Sequence, residues 1–223
     1  MIYSHAPLPK GVSGGWIEGA DGPGFARFGD EVVVELVPAL PLVPGRHQKQ
    51  NLLAAGLALL GLGLPAEIIR KGLKTFPGVE HRLELFHQAG GIMFYNDSAA
   101  TIPEAAAAAL DALGHTDGGR LILVTGGTDK NLDFSPLVQT AGRAKAIILL
   151  AGTGSEKLRS LFDDAGIAYR GPFDDLDKAV AAALAAAAPG DRIALSPGCA
   201  SFGMFLNEFD RGRKWKEAVR RLA

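Results

Sequence analysis

An α/β fold with a mostly parallel sheet and an antiparallel edge hairpin is what the sequence predicts, on three observations. Apolar, β-branched runs alternate with helical runs through the later part of the chain, the pattern of right-handed βαβ units. Three of those runs lead directly into polar or glycine-rich islands: Asn96-Asp97-Ser98, Gly126-Gly127-Thr128-Asp129-Lys130, and residues Ser196 to Phe205. At Phe76-Pro77-Gly78 the periodicity breaks, because the residue before a proline is pushed out of the α region. The part that follows reads as a Rossmann-like domain, and open sheets of that kind bind ligands outside the carboxyl ends of their strands.

Residues 10–45 are rich in Gly and Pro, with strands expected at Gly15–Glu18 and Glu31–Val37. Helices are expected over His47–Leu60 and from Pro65, well placed at a helix start, to Lys74. Two helices and a few strands are too little to enclose a core, so residues 1–45 are expected to be poorly packed. After the break, strands are expected at Leu83–Phe86, Ile92–Tyr95, Leu121–Thr125, Ala146–Leu150, Ala168–Arg170 and Arg192–Leu195. The helical runs between them are Pro103–Leu113, Ser135–Arg143, Glu156–Ala165 and Leu176–Ala187, with Trp215–Leu222 closing the chain. The first two strands, joined by Gln88–Gly91, form the edge hairpin. The predicted division is therefore residues 1–78 and residues 79–223. The alanine tracts Ala105–Ala109 and Ala179–Ala188 favour helix and close packing rather than chemistry.

Composition excludes several functions. A chain of 223 residues, 48% apolar and 21% charged, is ordinary for a globular protein, and a net charge of −1 leaves no footprint for nucleic acid. No window holds 18 consecutive apolar residues, so no membrane insertion is expected. The N-terminus does not read as a signal peptide, and Cys199 has no second cysteine to pair with, so a cytoplasmic location is expected.

Each island has a chemical and a structural reading. Asp97, at a strand's C-terminal end, can accept ribose hydroxyls, hold a metal, or cap a helix. Ser98 and Thr101 precede Pro103-Glu104, a helix start whose dipole attracts anions. Gly126-Gly127 would let a ligand approach the backbone, and Lys130 could reach back as a point charge. Asp129 and Asp133 more simply order the turn. Ser196 and Ser201, with the amides between them, could form an anion nest, with Phe202 and Phe205 packed beneath. Cys199 reads as a small buried residue. Arg82 and His81 sit at the domain break, where Glu80 or Glu84 could pair with them. Asn51 and Gln48 share a helix face and could read an adenine edge. His5, His87 and His115 show no metal-ligand spacing. Asp210 to Lys216 read as a solvated helix start. No G-x-x-x-x-G-K-[ST] phosphate cradle occurs anywhere in the chain.

In order and at plausible spacing, several groups together resemble the Mur ligases. They are Gly45-Arg46-His47 with Asn51, Pro77 with His81-Arg82-Leu83-Glu84, and Asn96-Asp97-Ser98 with Ala100-Thr101. Gly126-Gly127 with Asp129-Lys130 and Asp133-Phe134-Ser135-Pro136-Leu137 follows, then Ser196-Pro197, Ala200-Ser201-Phe202, Phe205 and Arg211-Gly212. The pattern at Asn96–Thr101 is similar to the branch that adds glutamate. The resemblance implies an ATP-dependent amide ligase of peptidoglycan synthesis, acting on UDP-N-acetylmuramoyl-L-alanine, glutamate and ATP through an acyl phosphate. It implies that Asn51 contacts adenine, Arg82 the phosphates and Asp97 the ribose, while Ser98, Thr101, Lys130, Ser201 and Phe202 line the glutamate site. Residues 1–78 would be the end of a central ATP-binding domain without its P-loop, and residues 79–223 a glutamate-binding domain. Mg2+ ligands would lie upstream, no metal ligand or catalytic residue is assigned here, and the chain alone would be inactive. Ala99 stands where the family usually has lysine, Ile102 where asparagine is common, Gln48 replaces a usual asparagine, and Glu208 lies where an aromatic often does. An L-glutamate-adding relative and a non-catalytic amino-acid- or nucleotide-binding module are the alternative readings.

Overall fold

The structure is a computed structural model and describes residues 2–4, 6–19, 22–29, 33–114 and 120–223. Expectations that fall on His5, Glu31, Val32 and His115 lie outside these residues. The chain divides into two compact units, residues 1–78 and 79–223.

The first unit is a four-stranded sheet in the order β1-β2-β3-β4: β1 (Ile2–Ser4), β2 (Gly14–Ile17), β3 (Gly24–Arg27) and β4 (Val34–Val37). β1 runs parallel to β2, and the other pairings are antiparallel. Helices α1 (Arg46–Gly61) and α2 (Ala66–Lys74) follow. Leu52, Leu53 and Leu57 of α1 and Ile69 and Leu73 of α2 bury against Ile17, Ala26, Leu36 and Val37. This core corrects the expectation of poor packing: β1 and β3, too short to read in the sequence, supply the sheet partners. Burying side chains of this size contributes about 1.5–3 kcal/mol each. Lys49 is also buried here, its Nζ donating to Gly22 O at 3.2 Å and Ala39 O at 2.7 Å.

The second unit is a six-stranded sheet in the order β5-β6-β10-β7-β8-β9. Its strands are β5 (Glu84–Ala89), β6 (Ile92–Asn96), β7 (Leu121–Thr125), β8 (Ala144–Leu150), β9 (Arg170–Phe173) and β10 (Arg192–Leu195). β5 is antiparallel to β6 across Gly90-Gly91, and every other pairing is parallel. The connecting helices are α3 (Pro103–Leu113), α4 (Ser135–Thr140, continued by a 3-10 turn over 141–143), α5 (Thr153–Asp164), α6 (Leu176–Leu184) and α7 (Glu208–Leu222).

Both faces of this sheet are covered, so β7 is buried throughout and apolar from Leu121 to Val124 rather than alternating. Leu121 and Leu123 face Ala106, Ala109 and Leu110 of α3, Leu137 of α4, and Leu158 and Phe162 of α5. Ile122 and Val124 face Ala179, Val180 and Ala183 of α6, and Trp215, Ala218 and Val219 of α7. The alanines let the helices lie close, and larger residues there would overpack at about 1–3 kcal/mol. α7 begins at Glu208, seven residues before the expected start, with the Asn207 side chain accepting from Asp210 N. Asp210 and Arg211 are buried, which corrects the reading of Asp210 to Lys216 as a solvated segment.

Backbone bonds tie the loops at the carboxyl ends of the central strands into one layer. Gly198 N donates to Ala100 O (2.9 Å) on one side of β10, and Gly126 N to Pro197 O (2.8 Å) on the other. Thr128 and Ala200 exchange reciprocal N–H···O bonds of 3.0 Å, and Gly154 N donates to Gly127 O at 2.8 Å. The glycine pair at 126–127 serves this layer. A Cβ at Gly127 (φ 142°) would lie 2.5 Å from Ala200 O, and one at Gly126 (φ 100°) 2.2 Å from Ser155 Oγ. In the segment read as an anion nest, the amides of Ser196, Gly198 and Ala200 donate to the Val124, Ala100 and Thr128 carbonyls. Gly127→Ala is expected to cost about 2 kcal/mol through this clash and its backbone conformation. That lowers Tm by roughly 4–8 °C. Gly142→Ala, where a Cβ meets nothing within 4 Å, serves as control. Equal Tm values for the two variants in thermal melts would remove the close-packing argument.

Candidate functional site

Asp97 follows β6 and is 7% exposed. Its Oδ1 accepts from Leu83 N (3.0 Å) and its Oδ2 from Ser196 Oγ (2.6 Å), which join the β5, β6 and β10 ends. Burial pushes the carboxyl up to about 7, although the Ser196 hydroxyl, the Leu83 amide, Arg82 and Arg211 all pull it down. Each oxygen carries a second lone pair beyond the one engaged here.

Ser98 is fully buried. Its Oγ donates to Glu208 O at 2.7 Å and accepts from Arg211 Nε at 3.0 Å. Arg211 also donates from Nη2 to Ser98 O (2.8 Å) and from Nη1 to Cys199 O (3.0 Å). The guanidinium is fully buried, and desolvation pulls it down to about 10. Three hydrogen bonds to neutral acceptors offset part of the cost of burying that charge. Arg211 thus fixes the relative position of the loops after β6 and β10. The signal for it lies in the spacing of Arg211, Trp215 and Val219, which share one helix face. Cys199 is 1% exposed, as its sequence context suggests, and burial pushes its thiol up to about 12.

Thr101 and Lys130 come together from different loops. Lys130 Nζ lies 3.5 Å from Thr101 Oγ1, with Lys130 exposed. Beside them α3 begins at Pro103 with no side chain capping it, so its dipole end is left open to an anion. Asp129 and Asp133 do order the turn: Asp129 Oδ1 accepts from Leu132 N, and Asp133 Oδ1 from Ser135 N and Oγ.

Ser201 is 4% exposed, at the inner wall of the β10 loop, where its carbonyl accepts from Phe205 N. Phe202 is 61% exposed and so does not pack beneath the loop as expected. Its backbone carbonyl instead accepts from the Thr128 hydroxyl. Arg82 is exposed, one residue from the amide that binds Asp97. Asn51 stands exposed on α1 of the first unit. The structure therefore joins Asp97 to Ser196, Thr101 to Lys130, and Ser98 to Arg211, within one loop layer of the second unit.

Asn96 went unnoticed in the sequence as a participant in its own right. It is fully buried, its Nδ2 reaching His81 Nδ1 (2.8 Å) and Glu84 Oε2 (3.1 Å). Nothing in its local sequence separates it from a strand-ending asparagine. Among the described residues, Glu80, His81 and Glu84 could together hold a cation. Lys216 Nζ already sits between the two carboxylates, 2.7 Å from Glu80 Oε1 and 2.9 Å from Glu84 Oε1, and so takes the place of a metal.

Among the described residues no helix is long and apolar enough to cross a membrane. The fold matches the structure of UDP-N-acetylmuramate-alanine ligase MurC from Thermotoga maritima with a TM-score of 0.61 at 16% identity, over 90% of this chain and 44% of that one. It matches E. coli FolC in complex with ADP with a TM-score of 0.65 at 20% identity, over 95% and 48%. In sequence, the chain is 48% identical over 178 residues to a UDP-N-acetylmuramoylalanine–D-glutamate ligase of Roseiflexus sp., covering 78% of this chain and 37% of that protein. It is 34% identical to the enzyme of the same name from Symbiobacterium thermophilum, covering 100% and 48%. The chain thus spans less than half the length of these relatives. Residues 81–199 match the family described as Mur ligase, glutamate ligase domain, which takes in β5 to β10 and the loops carrying Asp97, Thr101 and Lys130. The chain belongs to the Mur ligase family.

Proposed function

We propose that this chain is the C-terminal part of an ATP-dependent amide ligase that adds D-glutamate to UDP-N-acetylmuramoyl-L-alanine, a cytoplasmic step of peptidoglycan synthesis. The observation that carries the reading is the meeting of Lys130 and Thr101 at the uncapped start of α3, on the same loop layer as Asp97. A cation, a hydroxyl and a helix N-terminus converge there, which suits one carboxylate of an amino acid. The D-glutamate assignment rests on the names of the relatives.

In this reading Lys130 draws a glutamate carboxylate and Thr101 donates to it. Ser201 offers a hydroxyl deeper in the loop, and the exposed Phe202 ring shields the bound amino acid from water. Ser98 acts through Arg211, since its own hydroxyl is engaged on both sides. Arg82 neutralises phosphate charge, Asp97 accepts the ribose hydroxyls on its open lone pairs, and Asn51 reads the adenine edge. ATP supplies the phosphoryl group that activates the substrate carboxylate. Such chemistry needs mainly positioning and charge neutralisation, which is what these residues provide. Mg2+ would take its ligands outside this chain, because the one candidate cluster among the described residues is occupied by Lys216. With no phosphate cradle in its sequence, the 223-residue chain alone binds ATP and glutamate weakly and turns over nothing.

Lys130→Ala is expected to weaken D-glutamate binding at least about tenfold, or about 1.4 kcal/mol, and to leave ATP binding unchanged in NMR titrations of the chain. Equal losses for both ligands would take Lys130 out of the amino-acid site, and a stronger response to L-glutamate would reverse the assigned stereochemistry. Asp97 gives a pH prediction. Because its folded-state value is raised, its contribution to stability is fully present below about pH 4 and is lost as pH rises through about 7. Asp97→Asn can keep both hydrogen bonds, with Oδ1 accepting from Leu83 N and the amide donating to Ser196 Oγ. The variant's stability relative to the parent should therefore grow between about pH 4 and about pH 7 and level off above. Urea unfolding across that window checks it, and a difference that does not vary with pH would rule out a buried ionising Asp97.

A further inference from the structure

Arg82 stands between two non-glycine residues in left-handed backbone, His81 at φ 65° and Leu83 at φ 44°. That conformation is unfavourable for residues with a Cβ and persists only where its surroundings impose it. Here all three amides of the arch have acceptors: His81 N donates to Glu84 Oε2 (3.1 Å), Arg82 N to Val79 O (3.1 Å) and Leu83 N to Asp97 Oδ1 (3.0 Å). His81 O accepts from Ala99 N at 3.0 Å. The arch is thus held from below while the Arg82 side chain is left exposed.

One side chain reaches both the arch and the loop that follows β6. The Asn96 carboxamide accepts from Ser98 N through Oδ1 (3.2 Å), and this fixes which end carries the NH2. That NH2 then donates to His81 Nδ1 at 2.8 Å and to Glu84 Oε2 at 3.1 Å. Nδ1 is therefore the acceptor, and the ring proton sits on Nε2. α7 makes room for the pair with a glycine. A Cβ at Gly212, in the helix interior, would lie 2.1 Å from His81 Nδ1 and 3.1 Å from Asn96 Oδ1. Lys216, one helical turn on, holds Glu84 by its other oxygen at 2.9 Å.

We infer that Asn96 is a positioning residue: through His81 and Glu84 it holds the strained arch that aims Arg82, and it locks that arch to the loop carrying Asp97 and Ser98. Its effect on ligand passes through Arg82, and the inference rests on the proposed contact between Arg82 and phosphate. Asn96→Asp is the pointed variant. It is isosteric and keeps the Ser98 bond, yet it turns the donor to His81 and Glu84 into a third acceptor. Gly212→Ala is the second variant, touching neither Arg82 nor any ligand while driving a methyl group into His81 Nδ1.

The test uses inorganic pyrophosphate as the probe and NMR of the 223-residue chain as the readout. In the parent, long-range 1H–15N spectra should show His81 as the Nε2–H tautomer, and pyrophosphate should shift the Arg82 Nε–H signal saturably. Asn96→Asp and Gly212→Ala should each weaken that response at least about tenfold with the sheet spectrum retained. In both, the HN–Hα couplings of residues 81 and 83 should lose their left-handed values. A folded variant with parental couplings and affinity overturns the inference, as does a parental His81 carrying its proton on Nδ1. The second result holds even if both variants unfold. If pyrophosphate leaves Arg82 unmoved in the parent, the phosphate reading fails by itself. The couplings and the tautomer then still decide whether Asn96 shapes the arch.

Discussion

The central strand of the second unit holds the candidate site together. β10 lies between β6 and β7, so the loop that leaves it must bond to both neighbours at once. It does so through Gly198 N to Ala100 O on one flank, and through Pro197 O, which takes both Gly126 N and the Thr125 hydroxyl, on the other. A buried backbone group left without a partner costs as much as a lost hydrogen bond. The path of these loops is therefore set by mutual satisfaction of their polar groups, and the side chains that can meet ligand are placed as a consequence. Thr101 and Lys130 are 29 residues apart in sequence but neighbours here for this reason.

Two buried charges accompany that arrangement. Asp97 and Arg211 lie in the same loop layer, and for both desolvation is the largest influence on ionisation, raising the acid and lowering the base. Neither is placed for stability alone, since apolar residues of similar volume often serve a core equally well. Arg211 joins Ser98 to Cys199 by three hydrogen bonds that no apolar residue could make. Asp97 organises the end of the arch through Leu83 N and the start of the β10 loop through Ser196. Polar networks of this kind fix geometry more than they add stability, which suits an edge where a reacting ligand must be held in register.

Much of the fold was legible in the chain. β7 and β10 occupy the residues that their apolar runs indicate, and α3 spans Pro103–Leu113 as its proline and alanines suggest. Such segments carry their signal locally, in periodicity and in breakers. β1 and β3 were hidden because segments of three or four residues are too short to show an alternation of their own. β9 begins at Arg170, later than its sequence suggests, and the start of α7 was obscured by charge. Asp210 and Arg211 look solvated in sequence and are buried in the structure, Asp210 against Leu206 N and Lys214 nearby and Arg211 against Ser98 of a distant loop.

The order of strands and helices in the second unit, the unpaired cysteine, the family motifs and the chemical types of Arg82, Asp97, Thr101 and Lys130 were all determined by the sequence itself. Tertiary structure decided which of those groups touch, that Gly126-Gly127 is needed for loop packing, and that Ser98 and Asn96 spend their polar atoms inside the protein. The physical reason is one of range. Periodicity and turn chemistry act over a few residues and can be read in one dimension. Satisfying a buried hydrogen-bonding group depends on whichever strand the sheet places beside it, and that neighbour is set only when the whole sheet has formed.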